Sequence, residues 1–211
     1  HPGMQFIQGD ILDTNALASA IGGHDIVIHC AAIAGIDSVT RNPVLTMITN
    51  MLGSANVLQA SMENSESELV ICLSTSEVFG PGAELVSEDS PAVIGPPGEP
   101  RWTYAAGKLA EEHLALAYLH QHQLPVVILR PFNIYGPGQV GEGAIKNFVL
   151  QAISGEDLVV HGTGEQVRSW CFIDDMVEAI LLSISTPEAV GKSFNIGNAN
   201  TVISIRELAE L

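Results

Sequence analysis

The stretch ELVICLSTSEVFG, Glu68 to Gly80, joins an apolar run to a row of hydroxyls and a carboxylate. An uninterrupted apolar run of this length reads as a strand buried on both faces, the pattern of a parallel sheet. Ser74, Thr75, Ser76 and Glu77 then place polar atoms at the strand's carboxyl end, where burial without partners is costly. Either they cap the following element or they line a place where a ligand sits. The rest of the chain bears on that choice.

Similar short runs recur. MQFIQGD (4–10), DIVIHCAA (25–32), PVVILRP (125–131) and DLVVHG (157–162) read as further strands. Helix-period segments at 13–21, 44–62 and 104–122 lie between them. Apolar strands separated by helices imply an α/β chain with a Rossmann-like, doubly wound parallel sheet. Beyond Tyr135 the elements shorten, through AIKNFVLQAI, SWCFIDD, a helix near 174–185 and FNIGN. Residues 1–135 are therefore read as the core and 136–211 as a smaller, mixed α/β substrate lobe.

The 211 residues are 46% hydrophobic and 15% charged, enough for one sizeable core. The net charge is -16, from 8 basic and 24 acidic side chains. So acidic a surface repels phosphate backbones and anionic membranes, so neither is expected as a partner. Cys30, Cys72 and Cys171 fall in strand-like text, far apart, and read as buried reduced thiols. No run reaches the roughly 18 apolar residues of a membrane span, and the first residues lack a signal-peptide pattern; the cytoplasm is the expected location. HQH at 120–122 lies on a helix expected to be exposed, and no G-x-S-x-G turn occurs, so neither a metal site nor a serine hydrolase is expected.

YAAGK, Tyr104 to Lys108, puts a phenol and an ammonium four residues apart, on one face of a helix. A cation beside a phenol favours the phenolate and lowers the tyrosine pKa, giving a base near neutral pH. The same spacing also arises by chance on exposed helices. Taken in order, however, GDILD, HCAA, STSEVFG, YAAGK and RPFNIYGPG resemble the successive signatures of the extended short-chain dehydrogenase/reductases. Within that group they resemble the NAD-dependent nucleotide-sugar epimerase/dehydratase family, over nearly the whole chain.

The resemblance implies roles. Thr75, Tyr104 and Lys108 match the catalytic hydroxyl, base and lysine. Asp10 and Ile11 match the adenine contacts, Ala31 and Ala32 the small residues against the cofactor, Asn50 the helix asparagine facing the site, and Pro131 and Phe132 the nicotinamide border. Asn133, Asn147 and Arg168 match positions that hold the diphosphate or nucleotide of a nucleotide-diphosphate sugar. For Arg168 there is also a physical case, since a guanidinium fork suits phosphate oxygens and this chain has few cations. Each has a plainer alternative: a strand-end turn at Asp10, tight packing at the alanines, a surface ion pair at Arg168. Asp174 and Asp175 read better as helix caps, and Arg130 as structural.

Ser76 and Glu77 add a further expectation. Chemistry beside a C4 ketone needs an extra acid or base, and TSE resembles the triplet of sugar-nucleotide decarboxylases and some dehydratases. Decarboxylase-like or 4-epimerase-like chemistry is therefore expected, through a transient C4-keto sugar. A homodimer through the helices at 44–62 and 104–122 is implied by the family. No glycine-rich turn precedes MQFIQGD, so the expectation is an incomplete sheet with an open apolar edge at 26–32, within a chain that is part of a longer enzyme. NAD is the expected cofactor, with NADP left open because no residue reads the ribose. A non-catalytic dinucleotide-binding module and an NADP-dependent reductase of a non-sugar carbonyl remain as alternatives.

Overall fold

The computed structural model describes residues 3–81 and 85–211. The chain runs through α1 (Thr14–Ile21), β1 (Ile26–His29), α2 (Ile36–Arg41), α3 (Pro43–Glu63) and β2 (Leu69–Leu73). A 3-10 turn (Ser76–Phe79) follows, then α4 (Trp102–His122), β3 (Val126–Pro131), β4 (Asn133–Tyr135) and α5 (Ala144–Ser154). It ends with β5 (Val167–Phe172), α6 (Ile173–Ser185), β6 (Ser193–Ile196), β7 (Val202–Ser204) and α7 (Ile205–Glu210).

β1, β2, β3 and β6 form one parallel sheet in that order. Because side chains alternate along a strand, β2 serves two cores. Val70 and Cys72 pack with Leu58 of α3, Ala115 of α4, Val126 and Ile128. Leu69 and Ile71 pack on the other face with Val127, Leu129, Cys171 and Met176 of α6. Helices therefore cover both faces, as the unbroken apolar strands require. β4, β5 and β7 make a second, mixed sheet, parallel between β4 and β5 and antiparallel between β5 and β7. β6 crosses back from this region to join the first sheet beside β3.

Four expectations need correction. Residues 4–10 form no strand; Met4, Phe6 and Ile7 are exposed. Their backbone finds no ladder partner among the described residues, and a strand is defined by pairing as much as by its side chains. Residues 157–162 also form no strand; there the Val159 amide donates to the Gln151 side chain. Asp174 and Asp175 do not cap α6, because the cap position is Phe172. They occupy the first turn, where a carboxylate complements the helix dipole. Cys72 and Cys171 are buried as read, but Cys30, one residue past β1, is exposed. β1 is an edge strand of the sheet, with Ile28 exposed.

α3 and α4 lie close together where Gly107 meets Asn50; a Cβ at Gly107 would stand 3.1 Å from that of Asn50. Pro43 begins α3 at a position where its missing N–H costs nothing. α4 is fixed to the sheet by a buried ion pair. Arg130 of β3 donates to both oxygens of Glu112, from Nε at 2.9 Å and from Nη2 at 2.7 Å. Ser74 donates to the same carboxylate, and Arg130 Nη1 donates to the Glu88 carbonyl at 3.0 Å. Glu112→Ala would leave a buried guanidinium unpaired and is expected to cost about 3–5 kcal/mol of stability, read from urea unfolding.

His29 ends β1 and is buried. Burial, and then the charge of Lys108, lower its pKa from 6.5 to about 4. The folded state thus holds the neutral ring, so this contribution is complete above the unfolded pKa and is lost as pH falls from there towards 4. Going from pH 7 to pH 5 should remove about 2 kcal/mol that a His29→Gln variant does not lose, measured as the difference between their unfolding free energies.

Candidate functional site

All four strands of the main sheet end on one side, and ligands of such sheets sit beyond those carboxyl ends. There Ser74 turns inward to Glu112, while Thr75 closes the strand and caps the 3-10 turn, its Oγ1 accepting the Glu77 amide at 3.2 Å. The row of hydroxyls thus divides. Ser74 is structural, and Thr75, Ser76 and Glu77 face a pocket.

That pocket, about 330 Å³, is lined by Thr75, Ser76, Glu77, Tyr104, Pro131, Phe132 and Asn133, with Ala34, Gly35 and Ile134. Its size suits a sugar-sized ligand. A larger depression of about 490 Å³ lies beside β6, lined by Glu88, Asp89, Lys192, Ser193 and Phe194. It has no phenol and none of the ordered motifs, so we place the chemistry in the smaller pocket.

The electrostatics differ from the simple tyrosine–lysine expectation. The Tyr104 pKa is not lowered but raised to about 12. Burial is the main cause, followed by the charge of Glu77; the Thr75 hydroxyl pulls it down, and Glu111 pushes it up. The Lys108 ammonium pairs with Glu111, 2.8 Å away, with both side chains buried. Glu77 is itself pushed up by burial, while Arg101 and Arg168 draw it back. Two guanidiniums from distant parts of the chain therefore act on one carboxyl.

The other candidates separate into pocket and support. Lys108 lies behind the pocket lining, inside α4. Ala31 and Ala32 follow β1 at the same sheet edge as Thr75, Ala31 exposed and Ala32 half-buried. Asn50 is wholly buried and clamps the loop after β1: its Nδ2 donates to the Ile33 carbonyl at 3.0 Å, and its Oδ1 accepts the Ile33 amide at 2.8 Å. Both amide groups are spent on that loop, so Asn50 shapes the site from behind. Asn133 lines the pocket while its Nδ2 donates to the Ser169 carbonyl at 3.0 Å, tying β4 to β5. Asp10 makes a turn, its Oδ1 accepting the Leu12 amide at 2.9 Å. Ile11 packs on Gly53 of α3, where a Cβ would collide with it. Asn147 is exposed on α5, and Arg168 is exposed on β5 with Nη1 on its neighbour's carbonyl.

Sequence reading missed Arg101, which stacks over Trp102 at 4.4 Å and reaches Glu77 electrostatically. Its signal was available: a rare cation three residues before Tyr104. Gly35 was missed too, being in a loop without periodicity.

Comparison with known proteins agrees with this geometry. Residues 1–197 match the model of the NAD dependent epimerase/dehydratase family. The chain is 38% identical over 203 residues to UDP-N-acetyl-alpha-D-glucosaminuronate decarboxylase from Bacillus cytotoxicus, covering 95% of this chain and 62% of that protein. Among solved structures, UDP-glucuronic acid 4-epimerase from Bacillus cereus, in complex with UDP-glucuronic acid and NAD, superposes with a TM-score of 0.85 at 31% identity. That match covers 97% of this chain and 63% of the epimerase. DesIV, the dTDP-glucose 4,6-dehydratase from Streptomyces venezuelae, with NAD and TYD bound, gives 0.85 at 31% identity, covering 100% of this chain and 63% of its own. The chain thus spans a little over three-fifths of the length of these relatives. A parallel sheet covered on both faces, a hydroxyl–phenol pocket at its carboxyl edge and a family match over most of its length lead to one conclusion: the chain belongs to the NAD dependent epimerase/dehydratase family.

Proposed function

We propose that this chain carries the reaction pocket of an NAD-linked enzyme that oxidises a nucleotide-diphosphate sugar at C4 and then decarboxylates or epimerises it. The observation that carries the reading is that Thr75, Ser76, Glu77 and Tyr104 line one pocket, beside two arginines in a chain of net charge -16.

The residues present fit a nicotinamide. Ala34 and Gly35 line the pocket without long side chains, so a flat ring can approach the backbone. Lys108 offers three donors, of which Glu111 takes one among the described residues. Ala31, Ala32, Pro131 and Phe132 would border the group, and Lys108 would hold its ribose. When bound, NAD supplies reversible hydride acceptance at C4. Tyr104 is the proposed acceptor of the C4 hydroxyl proton, and Thr75 holds that oxygen in line. A carboxylate at C5 is then β to a ketone and leaves as carbon dioxide, its bonding electrons passing into the enolate. Glu77, its pKa raised by burial, would return a proton to carbon. A 4-epimerase would use the same Tyr104 and Thr75 and leave the carboxylate in place. Arg168 and Asn133 are the proposed diphosphate contacts, with Arg101 adding positive charge.

A panel of UDP- and dTDP-sugars, including uronic acids, tests this by product mass. Loss of carbon dioxide supports decarboxylation, and unchanged mass with altered NMR couplings supports epimerisation. If no nucleotide sugar reacts or binds, the reading is wrong. Tyr104→Phe or Thr75→Val should reduce kcat by about 10²-fold or more with little change in nucleotide affinity.

We also propose that α3 forms a homodimer contact. Val44, Leu45, Ile48, Met51 and Leu52 are all exposed, and their spacing gathers them along one side of the helix. Ile48→Glu should convert a dimer to monomer in sedimentation velocity; a wild-type monomer would overturn the proposal.

A further inference from the structure

Two adjacent glutamates on α4 are buried, yet they are used differently. Glu112 has both carboxylate oxygens bonded, to Arg130 and Ser74. Glu111 crowds its partners onto one oxygen: Oε2 lies 2.8 Å from Lys108 Nζ and 2.9 Å from Ser54 Oγ. Its Oε1 is buried with no partner among the described residues. An ion pair built only for stability would satisfy both oxygens, as Glu112 does.

The contacts behind Glu111 also compete for one proton. Ser54 Oγ is 2.9 Å from His29 Nε2, 2.7 Å from the Asn50 carbonyl and 2.9 Å from Glu111 Oε2. A hydroxyl donates once, so Ser54 serves either Asn50 or Glu111. With His29 neutral and donating from Nε2 to Ser54, the hydroxyl serves one of these two acceptors at a time, and Lys108 donates to Glu111 in either case. A buried carboxylate so held fixes the direction of the lysine that lies one turn beyond the phenol.

We propose that Glu111 is a positioning residue that sets the base strength of Tyr104 by holding Lys108 and offsetting its charge. The role presupposes that Tyr104 is the base of the reaction proposed above. The charges facing the cluster come from every neighbouring element. His29 ends β1 and Cys30 follows it, Cys72 comes from β2, Glu77 from the 3-10 turn, and the Glu112–Arg130 pair from α4 and β3. α3 contributes the uncharged Ser54 and Asn50. Of these, Glu77 and Glu111 push the Tyr104 phenol up. Removing the Glu111 charge therefore releases Lys108 to favour the phenolate.

The test is a pH titration of the tyrosine ring carbon in labelled protein, with Tyr104→Phe identifying its signal. It needs no substrate, so it stays decisive if the proposed reaction fails. In Glu111→Gln, which keeps the shape and an acceptor for Lys108, the Tyr104 phenolate should form about one pH unit lower or more. The acid limb of kcat should move the same way. An unchanged titration in folded Glu111→Gln overturns the proposal. Should that variant fail to fold, the double variant Lys108→Met with Glu111→Gln removes both buried charges together. Mutual offset then predicts a titration within about one unit of wild type, and a larger upward shift overturns it.

Discussion

The bidentate pair between Arg130 and Glu112 fixes the frame in which everything else is placed. It joins the end of β3 to α4, and through Ser74 it reaches the end of β2. Thr75 and Pro131 are the next residues along those strands, and Tyr104 stands on the same helix two turns before Glu112. The distance between hydroxyl, phenol and pocket floor is thus set by one buried guanidinium. Coulomb attraction inside the fold is strong enough for this only because the hydrogen bonds are complete; a single missing partner would make the same charges destabilising. Function at the carboxyl edge therefore depends on polar satisfaction a few ångströms beneath it.

Much of this architecture was legible in the chain. β2 and β3 announce themselves because a strand buried on two faces has no polar position. The long helices show through their length and periodicity. The pocket residues could be named because Thr75, Tyr104 and Asn133 belong to motifs whose order is informative. What failed has a common cause. MQFIQGD and DLVVHG have strand composition but find no pairing partner among the described residues, and pairing is not written locally. The Tyr104–Lys108 spacing was read correctly as shared helical face, yet its electrostatic consequence was reversed. Glu111, three residues beyond the lysine, belongs to no motif that marks it, and only the fold turns it inward. Asn50 was assigned to the site because of its motif, while its amide proves to be consumed by Ile33.

The same reasoning explains why Glu77 is a different acid from its neighbours. Burial raises its pKa, while Arg101 and Arg168 draw it down. Those guanidiniums come from the start of α4 and from β5, so the carboxyl is balanced by groups whose positions depend on separate parts of the fold. Its protonation is a property of the assembled pocket, which no local reading of TSE contains.

α3 has an unusual double duty. Asn50 grips both backbone groups of Ile33, while Ile48, Met51 and Leu52, within two residues of it, face outward. One helix thus bears an exposed apolar row on one side and, on the other, the side chain that holds the loop after β1. Ala34 and Gly35, the next residues after Ile33, line the pocket, so the seat of α3 fixes where that part of the lining lies.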